Sequence, residues 1–197
     1  MKIRGSGAFA LLSASLLLSL LLYPMHHDQT RQIFPAWHPA STSVQPSVLL
    51  FLDYDGVLQT PQLRDFVPFE FVPQLARVLA PFPEVGLIVS SSHREGMSVG
   101  SIRSAFPGIL ARRIMGATPC RPYGRAKEGR YREILEWLTA NNCANTPWLA
   151  LDDEGELYPE RCAHLLKVHP LIGFQMPYDE QLTQWLEEIT GRLVVAR

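Results

Sequence analysis

The sequence is short of cysteine and of net charge, and each shortage removes a class of protein. Only Cys120, Cys143 and Cys162 are present. Their number is odd, their spacing is wide and no Cys-x-x-Cys pair occurs. That argues against a thiolate zinc site and against a disulfide framework, and leaves three reduced thiols as the natural reading. Lys and Arg total 18 against 19 Asp and Glu, a formal net charge of −1. Such a balance marks neither a general nucleic-acid binder nor a membrane-surface protein. One stretch does concentrate positive charge: Arg112, Arg113, Arg121, Arg125, Lys127, Arg130 and Arg132. No internal repeat is present. The 47% hydrophobic and 19% charged content is that of a globular domain with a core.

The first residues stand apart. Lys2 and Arg4 precede an apolar run from Ala8 to Tyr23, the way a secretory signal begins. The run falls short of the roughly 20 residues a comfortable membrane span needs. No small-x-small cleavage site follows it. Three readings stay open: an uncleaved anchor, an atypical signal peptide, or sequence upstream of a true start at Met25. Residues 25–46, with Pro35, Pro39 and Pro46, lack periodicity and read as a linker. The chain is therefore expected to divide into 1–24, 25–46 and a domain over 47–197. A cytoplasmic location is expected, with inner-membrane anchoring through residues 8–23 as the alternative. A membrane partner is implied only in that second case.

Within the domain, short apolar runs alternate with helical patterns. Val48–Leu52, Val85–Val89 and Trp148–Leu151 are continuous apolar runs that fit strands buried on both faces. Ile114-Met115 begins a further short strand, and His164–Val168 reads as another. Helices are expected over Phe71–Leu79, Ser98–Phe106, Gly129–Ala140 and Glu180–Thr190. The apolar face of the third is Ile134, Leu135, Trp137 and Leu138; that of the last is Leu182, Trp185, Leu186 and Ile189. The alternation predicts an α/β fold with a mostly parallel sheet.

Polar residues fall at the ends of these strands. The three apolar runs end in Asp53-Tyr54-Asp55, Ser90-Ser91-Ser92 and Asp152-Asp153. Open α/β sheets bind ligands beyond the carboxyl ends of their strands, so these groups are expected to meet. Four carboxylates at one sheet edge repel, and a hard divalent cation relieves the repulsion. The cluster therefore implies Mg2+, and Mg2+ implies an anionic substrate. Side chains two apart on an extended segment share a face, so Asp53 and Asp55 can address one ligand, and Gly56 permits a sharp exit. The serines offer hydroxyl and N–H donors to phosphoryl oxygens. Lys127 or Arg130, at the entry of the helix near Gly129, balances charge. These are the parts phosphoryl transfer needs.

An EF-hand loop places its glycine later than Gly56 and needs a third ligand that is absent here. His93 reads as a surface or hydrogen-bonded histidine, His164 and His169 as structural, and Trp137, Trp148 and Trp185 as core. Two other functional classes stay open. One is a phosphorylatable receiver-like switch, although receivers carry their acidic pair and phosphorylated Asp on different strands. The other is a non-catalytic phosphate-binding module.

The motifs closely resemble those of the haloacid-dehalogenase-like (HAD) superfamily. Phe51-Leu52-Asp53-Tyr54-Asp55-Gly56-Val57-Leu58 resembles its first motif and Leu87-Ile88-Val89-Ser90-Ser91 its second. Lys127 or Arg130 stands in the place of the third motif's cation, and Leu149-Ala150-Leu151-Asp152-Asp153 resembles the fourth. The likeness spans about residues 47–175. Val89–Arg94 and Arg130–Leu138 are similar to the HAD domains of Swiss-army-knife RNA-repair proteins, which usually carry Trp where His93 stands. The resemblance implies a three-layer Rossmann-like HAD fold, and the short spacings between motifs imply no large cap domain. It implies Asp53 as nucleophile, Asp55 as acid and base, and Ser90 or Ser91 as phosphate donor. It also implies Lys127 or Arg130 as the stabilising cation, and Mg2+ held by Asp53, the Asp55 carbonyl and Asp152, with Asp153 assisting. The implied partner is a phosphorylated substrate, and an uncapped site suits a large one such as an RNA or DNA end.

Overall fold

The structure, a computed structural model, describes residues 46–60, 67–104 and 106–192. The expectations for residues 1–24 and 25–45 lie outside the described residues. Five strands form one sheet: β1 (Val48–Leu52), β2 (Val85–Val89), β3 (Ile114–Ala117), β4 (Trp148–Asp152) and β5 (Leu165–Lys167). Their order is β3-β2-β1-β4-β5, and every pairing is parallel. The sheet is thus wholly rather than mostly parallel. Among the described residues five helices join or follow the strands: α1 (Val72–Leu79), α2 (Val99–Ser104), α3 (Gly108–Ala111), α4 (Gly129–Ala140) and α5 (Tyr178–Thr190).

The three layers follow from strand alternation. Val48, Leu50 and Leu52 of β1 join one buried cluster with Leu75 and Leu79 of α1 and Leu182 and Leu186 of α5. Leu49 and Phe51 face the other side, against Ile134, Trp137 and Leu138 of α4. Successive strand side chains point to opposite faces, so a strand covered on both sides must be apolar throughout. That is why β1, β2 and the first four residues of β4 are apolar, with all five residues buried in each strand; the fifth of β4 is the site residue Asp152. Phe51 packs edge-on against Trp137 and Trp148 at 5.7 and 5.5 Å.

Several helical details differ from the periodic pattern. Leu135 and Ile189 are exposed at 41% and 43%. Each lies at the margin of its apolar stripe, where a single layer of sheet cannot cover it. The Ser98–Phe106 pattern is α2, stopped before Pro107, which disfavours helical backbone in the residue before it; α3, a separate short helix after Pro107, has no counterpart in the periodic pattern. Trp185 packs only partly buried against the core. Among the described residues no helix is long and apolar enough to cross a membrane.

β1 lies at the centre, with β2 on one side and β4 on the other. The strand order reverses at β1, and this opens a crevice at the carboxyl ends of the three central strands.

Candidate active site

The loop leaving β1 is fixed by its own backbone. The Tyr54 carbonyl accepts the N–H groups of Val57, Leu58 and Gln59 at 3.2, 2.8 and 3.1 Å, and the Gly56 N–H donates to the Gln59 carbonyl at 2.8 Å. Gly56 has φ +71°, and a Cβ there would lie 2.5 Å from the Asp153 carboxyl carbon. Glycine is thus required twice, for its left-handed backbone and for the close approach of Asp153. Asp53, at the end of β1, is buried; its Oδ1 accepts the Tyr54 N–H at 2.7 Å.

Arg130 enters from the first turn of α4. Gly129 places it there, since a Cβ at residue 129 would collide with the backbone of Tyr123 and Gly124. Its Nη1 donates to Asp53 Oδ2 at 2.7 Å and Asp152 Oδ2 at 2.6 Å, and its Nη2 donates to Glu154 Oε2 at 3.1 Å. Burial works against the guanidinium's charge, but Asp152 and Asp53 outweigh it and raise its pKa further. Lys127 is exposed and makes none of the site's hydrogen bonds. Of the two cations left open by the sequence, the fold brings Arg130 to the aspartates.

Asp152 is fully buried and well supplied with donors. Its Oδ2 also accepts the Tyr158 hydroxyl at 2.8 Å, and its Oδ1 accepts the Glu154 N–H at 3.0 Å. Burial and the Asp53 charge nonetheless push its carboxyl up to about 7, against the pull of Arg130. Asp153 is half-buried over Gly56, and burial together with the Asp53 charge raises it to about 6.

Ser90 and Ser91 have separate environments. Both N–H groups donate to the Leu52 carbonyl, at 2.9 and 3.2 Å. The Ser91 hydroxyl accepts the His93 N–H and caps the short 3-10 turn Ser92–Arg94. The Ser90 hydroxyl is buried without a hydrogen-bond partner, a costly state for a polar group unless a ligand completes it.

Asp55 sits apart from the Arg130 cluster. Its Oδ1 accepts Gln59 Nε2 at 2.7 Å and its Oδ2 lies 2.8 Å from His93 Nε2. Partial burial raises its pKa, but the hydrogen bonds from Gln59 and His93 and the charge of His93 hold it below the usual carboxylate range.

Four contributors escaped the sequence reading. Glu154 continues the acidic run after Asp152-Asp153, and that run was the available signal. Tyr158 and Gln59 carry no pattern of their own. Arg94 is buried; it donates to the carbonyls of Ser90, Ser91, Thr118 and Pro119 and pairs with buried Glu133 of α4. It ties the loops after β2 and β3 to α4. The Arg-rich stretch 112–132 is not one basic patch. Arg113 turns to the Phe82 carbonyl, Arg121 pairs with Glu136, Arg130 points into the site and Arg132 lies 4.0 Å over the Tyr123 ring.

The carboxylate oxygens of Asp53, Asp152 and Glu154 lie within 4.8 Å of one another, a grouping able to hold a metal ion. With Asp153, four carboxylates face the single guanidinium of Arg130, a formal charge of about −3. The donors are all oxygens, as a hard cation requires. Burial first, and the Asp53 charge second, raise the Asp152 and Asp153 carboxyls. The residues present therefore fit a divalent cation such as Mg2+.

A parallel α/β sheet with acidic, hydroxyl and guanidinium groups at the ends of its central strands defines a phosphate-handling protein of Rossmann-like architecture. The family model described as the HAD domain in Swiss Army Knife RNA repair proteins matches residues 49–178, and the chain belongs to that family. No curated protein and no solved structure matches the chain. Family membership supports a HAD-type phosphohydrolase in general, and Mg2+ is the ion such proteins typically use.

Proposed function

We propose that the chain is a Mg2+-dependent phosphomonoesterase that works through an aspartyl-phosphate on Asp53, with a nucleic-acid end as its substrate. The carrying observation is the placement of Asp53. It is a buried carboxylate at the end of the central strand, held by Arg130 Nη1 on one oxygen and the Tyr54 N–H on the other. Such fixing pre-orients a nucleophile.

The negative charge of the bound phosphate favours the protonated form of Asp55; in the first step an Asp53 oxygen attacks phosphorus as the bond to the leaving oxygen breaks, and Asp55 supplies the proton that oxygen needs. In the second step Asp55 takes a proton from water, which attacks the acyl phosphate and frees Asp53. The unpartnered Ser90 hydroxyl donates to a phosphoryl oxygen; the Ser91 hydroxyl, which accepts the His93 N–H in the turn, keeps its own hydrogen and is the alternative donor. Arg130 stabilises the charge that builds on the phosphoryl group. Asp53, the Asp55 carbonyl and Asp152 would hold Mg2+, with Asp153 assisting; Arg130, Tyr158 and the Glu154 N–H orient the Asp152 carboxylate. Bound there, the ion would neutralise phosphoryl charge as a Lewis acid.

One observation supports a nucleic-acid end: the matching family is described by RNA-repair proteins.

The test is phosphate release by the full chain from p-nitrophenyl phosphate and from RNA and DNA carrying 3′- or 5′-phosphates. It is run with Mg2+, with EDTA, and with Asp53→Asn. Activity lost with EDTA and in Asp53→Asn supports the mechanism. Hydrolysis of small esters alone removes the nucleic-acid assignment. Magnesium binding without turnover on any ester returns the chain to the phosphate-binding or switch classes.

A further inference from the structure

The Asp55 carboxylate is 58% exposed, yet both of its oxygens are held. An exposed carboxylate on a loop ordinarily samples several rotamers, and a general acid must stand within hydrogen-bond reach of the oxygen it protonates. We propose that His93 is a positioning residue: its Nε2–H, with the Gln59 amide, fixes the orientation from which Asp55 delivers its proton. This rests on the phosphohydrolase reading above.

Each holder is itself held. Gln59 is buried and its Oε1 accepts the Phe69 N–H at 3.2 Å, which leaves its Nε2 turned to Asp55. The backbone N–H of His93 is bound by the Ser91 hydroxyl at 3.3 Å. Its ring lies 5.8 Å from the Tyr54 ring, tilted by 36°. Tyr54 in turn packs against Phe69 and Phe106 at 5.1 and 5.6 Å. The Asp55–His93 hydrogen bond is therefore a clasp between the loop after β1, which carries the nucleophile, and the loop after β2, which carries Ser90.

The chemistry sets what the clasp affects. When Asp53 bonds to phosphorus, the electron pair of the breaking bond stays on the leaving oxygen, and that oxygen takes the Asp55 proton. His93 keeps its own proton throughout, and a neutral ring protonated on Nε2 serves as well as a charged one. An alkoxide leaving group needs the proton badly; p-nitrophenolate, a stable anion, needs it little. Loss of Asp55 alignment must therefore depress kcat/KM, which reads the steps through aspartyl-phosphate formation, far more for alkyl than for aryl esters.

The experiment compares the full-length wild type with His93→Phe and His93→Gln on glycerol phosphate and on p-nitrophenyl phosphate. Phe keeps a ring against Tyr54 and removes the donor; Gln restores an N–H at similar reach. His93→Phe is expected to lose about 10- to 100-fold more kcat/KM on the alkyl ester than on the aryl ester. His93→Gln is expected to recover most of that difference. Equal losses on both esters, no loss on either, or failure of Gln to recover the difference would overturn the inference. Wild-type inactivity on both esters removes the phosphohydrolase reading itself, and the inference with it.

Discussion

Arg130 reaches three carboxylates with two nitrogens, and the sequence could not separate it from Lys127. Both are cations near the start of α4, and a helix start read from sequence carries an uncertainty of a few residues. One turn of helix decides which cation enters the crevice. Arg130→Met should leave Asp53 and Asp152 buried without their cation. The expected result is a loss of about 3–5 kcal/mol of stability and of at least about 100-fold in kcat/KM, read by chemical denaturation and steady-state assay. Arg130→Lys keeps one cation between Asp53 and Asp152 and gives up the Glu154 contact, so it should retain most activity. If Met and Lys behave alike, the charge of Arg130 is not what matters. The nucleophile candidate was legible for a different reason: Asp53 follows an apolar run and stands three residues before Gly56, which directly follows Asp55, and strand geometry needs no more to place it.

At the scale of elements, the strands were the most legible part because burial on both faces leaves an unmistakable run of apolar residues. The loops were less so. The loops after β2 and β3 are shaped by Arg94, a buried arginine whose donors are spent on four carbonyls and Glu133. Nothing in the local sequence marks such a residue as internal, since arginine is ordinarily exposed. Arg94→Met should strand Glu133 without its cation and release the Ser90 and Ser91 carbonyls. A destabilisation of about 3–5 kcal/mol is expected, together with faster amide hydrogen exchange through residues 90–96 and 118–121. Unchanged exchange there would mean that backbone contacts alone hold the loops.

For the whole molecule, the consequence of the site is a concentration of negative charge that folding must tolerate. Asp153 is raised to about 6 and Asp152 to about 7 in the folded chain, above the ordinary aspartate value near 3.9. A carboxyl raised by folding favours the folded state while it is protonated. That contribution is complete below about pH 4 and is lost as pH climbs through about 6 to 7. These two groups should therefore lower the melting temperature of the metal-free chain over that window. An ion held here as proposed would bind the ionised carboxylates, so millimolar Mg2+ should raise the melting temperature more at about pH 7.5 than at about pH 5. An equal rise at both values, or none, would place the ion elsewhere or nowhere. Asp153→Asn should shrink the rise at the higher pH.

The sequence by itself determined the α/β layering, the positions of the strands and of every described helix but α3, and the gathering of Asp53, Asp55, Ser90 and Asp152 at the carboxyl ends of the strands. Periodicity and strand ends encode these, and both are local. Tertiary structure alone decided between Arg130 and Lys127 and gave Ser90 and Ser91 different environments. It also turned Asp153 over Gly56 and brought His93 and Gln59 onto Asp55. Those outcomes depend on distances between loops that are 38 residues apart in the case of Asp55 and His93 and 77 in the case of Asp53 and Arg130. Packing sets such distances, and no run of neighbouring residues records them.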